Sequence, residues 1–308
     1  MTVVRSRIAK PADRDKWLAV RAPYYNASAA AVLHDRHPFV TVGDYATEKI
    51  TGEDSFVDTE ATRRGRHLED GIARWWAEDH GYDVYEPGEL FIAGRLMATL
   101  DRIVVQTGRP LEVKTFGGYT DDPFDYWLDQ CQAQALCADA EFVELAWLDS
   151  SLGLRYMTVD ADPDFQADLL ERSDRFMAAI DFKIIPDWVY PTLTSANIDK
   201  LFVDVGRDDP VDIGEAGYIA MERFRELKAR VKDDEEELAA IKDDVARMLG
   251  QHSAGTYQGE TLVTWNRNKA STKLDLEALI AEIDPVLVAK HEHTKAGSRV
   301  FRPKAPTT

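Results

Sequence analysis

Apolar residues recur along this chain in two rhythms, and the switches between them mark out its elements. Leu68, Ile72, Trp75 and Trp76 fall at helical spacing and Gly81 follows as a stop, which predicts a helix over 59–80. Two shorter helices are expected upstream. One is DRDKWLAVR at 13–21, carrying Trp17 and Arg21; the other is NASAAAVLH at 26–34, which Asn26 or Ser28 can cap. The rhythm then becomes strand-like. GELFIAG and RLMATLDRIVVQ alternate or run apolar about a turn, QTGRP is a turn by composition, and LEVKTF reads as a further strand. Residues 122–138 return to helix, EFVELAWLD and LRYMTVD read as a strand pair around Gly153, and 163–182 as an amphipathic helix. This order predicts a mixed α/β (α+β) domain over 1–190, a mixed central sheet flanked by helices.

Residues 191–308 read as a C-terminal extension. The stretch 186–214 is rich in Pro, Asp and Gly and reads as a connection. A long helix is expected over 216–249, about 50 Å at ~1.5 Å per residue. Its stripe is Phe224, Leu227, Val231, Leu238, Ile241, Val245 and Met248, interrupted by Asp234. Such a stripe packs on the main domain or on a second copy of the chain. TLVTWNR is expected as a strand, 275–290 as a final helix, and TKAGSRVFRPK as a basic tail in which Arg299 and Arg302 can touch a DNA backbone. No internal repeat is visible.

Charge changes this picture. The 308 residues hold 55 acids and 37 bases, a formal net charge of −18. A chain this acidic is not a general nucleic-acid coat. Its 44% hydrophobic content excludes a disordered chain. Two cysteines, Cys131 and Cys137, cannot build a disulfide framework or a four-cysteine metal site, and they read as buried apolar residues. No apolar run spans a membrane and the N-terminus lacks a signal core, so a cytoplasmic protein is expected. Residues 101–150 hold ten acids and only three bases: Arg102, Arg109 and Lys114.

That block carries the candidate chemistry. In ATLDRIVVQTGRPLEVKTF, Glu112 and Lys114 stand two apart and share a strand face. A hairpin through QTGRP can bring Asp101 beside Glu112. Two carboxylates and an ammonium at one spot on apolar strands are costly unless paired or metal-bound. The carboxylates also repel one another. A hard divalent cation relieves both problems, and oxygen-only ligands favour Mg²⁺ or Mn²⁺ over zinc. The carbonyl of Val113 lies between them and can add a ligand. Lys114 can then hold or polarise a water for attack on a phosphodiester. Taken alone, this spacing describes a strand ion pair equally well.

Three further motifs, in order, give the chain a resemblance to the PD-(D/E)xK nucleases of the lambda-exonuclease and YqaJ-like viral recombinase group, over roughly residues 14–180. Trp17, Arg21 and Ser28 with the alanines after it resemble the family's W…R…(G/T)AS(D/E) opening. RRGRHLED resembles its W-G-x-x-x-E helix and places Glu69 at the family acid. YWLDQCQAQ resembles its aromatic-x-x-Q-x-Q helix, with Trp127 and Gln130. The chain departs from the pattern at Arg102, where the family has Gly, at Leu100, where it has Pro, and in the RRG segment, which lacks its Trp.

The resemblance implies a PD-(D/E)xK restriction-endonuclease-like core. It makes Asp101, Glu112 and the Val113 carbonyl ligands of Mg²⁺ or Mn²⁺, two ions in the family, with Glu69 as an outer contact. Lys114 orients and activates the attacking water. Arg21, Ser28, Thr99 and Gln130 hold a terminal 5′-phosphate. The implied activity is 5′-to-3′ degradation of linear double-stranded DNA, leaving 3′ overhangs for recombination. The implied assembly is a homo-oligomeric ring, a trimer by analogy, working with a single-strand annealing protein. The competing readings are a structure-specific or single-strand nuclease on the same core and a catalytically silent DNA-end-binding scaffold. Read singly, Glu69 is a surface helix acid, Arg21 an ion-pair partner, Gln130 a solvent-facing polar residue, and His67 a bystander. Trp75 and Trp76 read as core or interface rather than base-stacking residues.

Overall fold

The computed structural model describes residues 3–53, 57–202 and 210–267, with isolated positions between 279 and 291. The chain forms two compact units, Met1–Asp204 and Val205–Thr308. The first opens with β1 (Arg5–Ala9), α1 (Arg14–Arg21), β2 (Tyr25–Asn26), a 3-10 segment (Ala27–His34), α2 (Val42–Thr51) and α3 (Glu60–His80). The strands β3 (Val84–Tyr85), β4 (Glu89–Ala93), β5 (Leu96–Ala98), β6 (Arg102–Val104) and β7 (Pro110–Thr115) follow. Then come α4 (Asp125–Ala138), β8 (Phe142–Leu148), β9 (Leu154–Asp160), α5 (Pro163–Asp181) and α6 (Ser195–Leu201).

The helix ends follow local chemistry. Thr59 caps α3 by accepting from Thr62 N, and Gly81 closes it in the left-handed conformation at φ 68°. Asp162 caps α5, with Pro163 in its first turn. The helix expected over 26–34 is a tight 3-10 helix over Ala27–His34, at whose start Asn26 stands without a side-chain capping bond. The Tyr25 hydroxyl donates to the Ala29 carbonyl at 2.7 Å, and the buried alanines pack closely before Asp35 turns at φ 54°. The helix expected from 122 begins at Asp125. Five elements of this unit have no counterpart in the sequence reading, β1, β2, α2, β3 and α6, the last within the stretch read as a connection.

Two sheets build this unit. One has the order β1-β4-β5-β2; the other, β3-β6-β7-β8-β9, is mixed, with β7 and β8 parallel and its other pairs antiparallel. RLMATLDRIVVQ is therefore not one strand. Its first half joins the four-stranded sheet as β5 and its second the five-stranded sheet as β6, and residues 99–101 make the crossing.

Helix α4 connects the parallel pair β7 and β8, as such a pair requires. Leu111, Val113 and Ala146 pack against Ile72, Ala73, Trp76 and Ala77 of α3. Val143, Leu145 and Trp147 pack against Trp127, Cys131 and Ala135 of α4. The two helices thus cover opposite faces of the sheet. The alternation that turns Leu111 and Val113 toward α3 turns Glu112 and Lys114 toward α4. Trp76 is 1% exposed in the α3 layer, whereas Trp75 is 42% exposed. Burying a side chain of that class contributes about 2–3 kcal/mol.

The second unit carries α7 (Gly214–Leu249) and an antiparallel hairpin of β10 (Ala254–Tyr257) and β11 (Glu260–Thr264). Leu249 is the buried residue of α7, and Phe224, Leu227, Val231, Leu238 and Ile241 are exposed. The expected helix over 275–290 falls mostly outside the described residues, as do Arg299 and Arg302. No described helix is long and apolar enough to cross a membrane.

Candidate active site

The crossing between the sheets positions the first acid. Strands β6 and β7 pair Arg102 with Leu111 and Ile103 with Pro110. Extending that register by one residue sets Asp101 across from Glu112. Asp101 lies just before β6, and its Oδ2 accepts from the Val113 backbone N–H at 2.9 Å. The side chain thus satisfies a β7 amide that β6 is too short to reach.

Glu112 is 2% exposed, and every partner it shows is a side chain. Lys114 Nζ lies 2.5 Å from its Oε1, and Gln130 Nε2 donates to the same oxygen at 2.6 Å. Gln134 Nε2 donates to Oε2 at 2.5 Å and also reaches the Thr99 carbonyl at 3.4 Å. Gln130 Oε1 in turn accepts from Lys114 Nζ at 2.9 Å. Gln130 and Gln134 stand one helical turn apart on α4, so one helix face grips both oxygens of the carboxylate. Gln132 points elsewhere and donates to the Asp160 carbonyl. Gln134 escaped the sequence reading. Its signal was present in the i, i+4 spacing from Gln130.

Electrostatics follow from burial and crowding. Burial raises the Asp101 carboxyl well above the ordinary range, and the charges of Glu112 and Glu69 add to the rise, against Lys114 and the Val113 N–H. Burial lowers the Lys114 ammonium, but Glu112 and Asp101 together outweigh it and hold that group above the ordinary lysine value. The site therefore concentrates negative charge around one trapped cation. Cys131 sits beside it, with burial pushing its thiol far up and out of nucleophilic use.

The remaining predicted residues divide. Glu69 reaches the site from α3 and accepts from Arg102 Nη1 at 2.8 Å. Arg102, 7% exposed, also donates to the Asp101 carbonyl at 2.6 Å and reaches Asp70 at 3.4 Å. Thr99 joins through its carbonyl, by way of Gln134. Arg21 belongs to a different group. Its Nε donates to Asn26 Oδ1 at 3.1 Å, and its guanidinium lies 4.0 Å from the Trp17 ring. Ser28 is exposed on the 3-10 segment, which packs on α4. Arg36, just past that segment, pairs with the buried Asp129 of α4 at 3.1 Å. His37, whose imidazole burial and the Lys114 charge lower, stacks edge-on to Tyr126 and to the exposed Phe39. His67 is exposed.

The donor chemistry fits a hard divalent cation: desolvated, mutually repelling carboxylate oxygens with no imidazole or thiolate among them. Gln134 Oε1 is a further buried oxygen, without a partner among the described residues. No described group of three or more His, Cys, Asp or Glu converges on a single point. The side-chain partners explain this, because Arg102 holds Glu69 while Lys114, Gln130 and Gln134 occupy Glu112.

Residues 16–141 match the family model of the YqaJ-like viral recombinase domain. The mixed α/β architecture expected of this unit, a mixed sheet flanked by helices, is present. An alkaline exonuclease from Laribacter hongkongensis is similar at 20% identity and a TM-score of 0.47, over 58% of this chain and 97% of that one. A phage-related exonuclease from Haemophilus somnus 129PT is similar at 12% identity and a TM-score of 0.44, over 52% of this chain and 94% of that one. No curated protein matches the chain.

Proposed function

We propose that this chain, with its YqaJ-like viral recombinase domain over 16–141, is a divalent-metal-dependent deoxyribonuclease that degrades one strand of linear duplex DNA from a 5′-phosphorylated end. The product is a 3′ overhang, the substrate of a single-strand annealing protein in recombination. One observation carries the reading: Asp101, just before β6, meets Glu112 and Lys114 on β7, the middle strand of the five-stranded sheet, and α4 locks the latter two with Gln130.

Asp101, Glu112 and the Val113 carbonyl would hold Mg²⁺ or Mn²⁺, with Glu69 as a further contact, and by family analogy two ions would bind. When bound, such a cation supplies Lewis-acid polarisation of the phosphodiester and neutralises its charge. The rest is done by side chains of this chain. Lys114 Nζ, fixed by Gln130 at 2.9 Å, orients the attacking water in line with phosphorus. The water oxygen bonds to phosphorus as the P–O3′ bond breaks. The water proton ends on solvent or on O3′, releasing a 5′-mononucleotide and leaving a new 5′-phosphate. Gln134 restrains the Glu112 carboxylate from the far side at 2.5 Å. Arg21, Ser28, Thr99 and Gln130 are assigned to the terminal phosphate, for which a planar guanidinium is the suited bidentate partner. A cytoplasmic protein acting as a ring of copies, a trimer by analogy, tolerates a net charge of −18, because a ring retains DNA by enclosure.

The test compares three DNA substrates in Mg²⁺: a linear duplex with 5′-phosphate, one with 5′-hydroxyl, and a closed circle. The reading expects rapid release of mononucleotides from the first, slower release from the second and none from the circle. Cleavage of the circle, or activity that survives EDTA, refutes it.

A further inference from the structure

The arginines of the first turns of α3 are not equivalent. Arg63 pairs with Glu60 at 2.8 Å, and Arg66 with Asp58 at 2.8 Å. Arg64 stands between them, exposed, and no described residue pairs with it. In a chain of net charge −18, most arginines of the first unit carry a carboxylate partner, so an uncommitted guanidinium is an exception.

The location of Arg64 is specific. Its guanidinium lies against Gly117, three residues past Lys114 on the segment that leaves β7. A Cβ on Gly117 would stand 3.3 Å from both Nη1 and Nη2 and 3.7 Å from Cζ, so the end of the fork faces the bare glycine. Gly65, next along α3, lies against the end of β7, since a Cβ there would meet Thr115 Oγ1 at 3.7 Å. The first turns of α3 therefore sit directly on the exit of the strand that holds Glu112 and Lys114. At ~3.3 Å per residue, Gly117 is about 10 Å from Lys114 along the backbone. Residues 101–150 contain only three bases, and Arg102 and Lys114 are consumed by the acids of the site. Positive charge for a substrate at this end of β7 has to come from another element.

The geometry points to Arg64 as a DNA-backbone contact, its guanidinium binding a phosphate of the strand that enters the site, with Gly117 kept small so that the fork can lie at the mouth. The inference rests on the nuclease reading above and adds a substrate contact to it. Arginine suits the task because its fork donates in parallel to two phosphate oxygens. A phosphate contact of this kind adds affinity and salt dependence without sequence preference.

The experiment is equilibrium binding of a fluorescein-labelled, 5′-phosphorylated duplex to the full chain in Ca²⁺, from 50 to 300 mM NaCl. Wild type is compared with Arg64→Gln, Arg64→Lys and, as a paired-arginine control, Arg66→Gln. Arg64→Gln is expected to weaken binding about tenfold, the loss of one charge-assisted hydrogen-bonded contact. It should also flatten the slope of log K against log salt by about 1. Arg64→Lys keeps the charge, so the slope should return while affinity stays reduced. Arg66→Gln should leave the slope unchanged. Arg64 is exposed on a helix and glutamine is a good helix former, so the variants fold. If Arg64→Gln and wild type share one slope while wild type binds and cleaves the duplex, this inference falls and the nuclease reading stands. If wild type neither binds nor cleaves the duplex, both fall.

Discussion

The grip of α4 on Glu112 can be tested without any DNA. Gln134 is fully buried and donates to Glu112 Oε2 at 2.5 Å, beside a carboxylate that is itself 2% exposed. Gln134→Leu keeps the volume and removes the donor. A hydrogen bond to a charged, buried acceptor contributes about 1.5–3 kcal/mol. Against this, leucine also removes Gln134 Oε1, which is buried with no described partner, and returns about 1 kcal/mol. The net loss is about 0.5–2 kcal/mol, which for a unit of this size lowers Tm by roughly 1–8 °C. Gln134→Glu is the sharper change, because it sets a second carboxylate against Glu112 and should lose more. The assay is thermal melting at neutral pH without divalent metal, with urea unfolding to show an unchanged m-value. Gln134→Leu melting at or above wild type would refute the reasoning. So would Gln134→Glu being no worse than Gln134→Leu.

Other sites give further expectations. Gly43→Ala would drive a Cβ to 2.7 Å from the Thr192 carbonyl oxygen, a backbone neighbour that cannot swing away, and should cost about 1–3 kcal/mol in a melt; wild-type stability would contradict that packing. Trp76→Ala empties the α3 layer at a residue 1% exposed and should cost about 3–5 kcal/mol, against under about 1 for Trp75→Ala. Burial, helped by the Arg21 charge, holds Lys49 down to about 8 from 10.5. Between those values the unfolded chain keeps a proton that the folded chain has released, so this group makes stability rise with pH from about 8 to 10.5. Lys49→Met should remove that part of the slope, and an identical slope in both proteins would sink the assignment.

How far the sequence could be read depends on whether the signal was local. The period-two placement of Glu112 and Lys114, the hairpin that faces Asp101 to Glu112, and the ends of α3 at Thr59 and Gly81 are all set within a few residues. β1 was invisible because RSRIA is almost wholly exposed and gains strand geometry only by pairing with β4 over 80 residues away. α2 carried a capping box, Thr41 with Asp44, and a buried face of Val42, Tyr45 and Ala46, a signal the sequence reading passed over. The break in RLMATLDRIVVQ is likewise tertiary, since both halves are apolar and only their partner strands assign them to different sheets. At the site, the pairing of Glu69 with Arg102 depends on α3 lying over β6, which no spacing encodes.

The most direct test of the central claim is the single-turnover rate of Lys114→Ala on an end-labelled linear duplex in Mg²⁺, beside wild type with and without EDTA. The account predicts rapid mononucleotide release by wild type, none in EDTA, and a loss of about 10²–10⁴ in the variant, the scale of removing a group that orients or activates the attacking water. A Lys114→Ala protein that folds and degrades the duplex at the wild-type rate would contradict it.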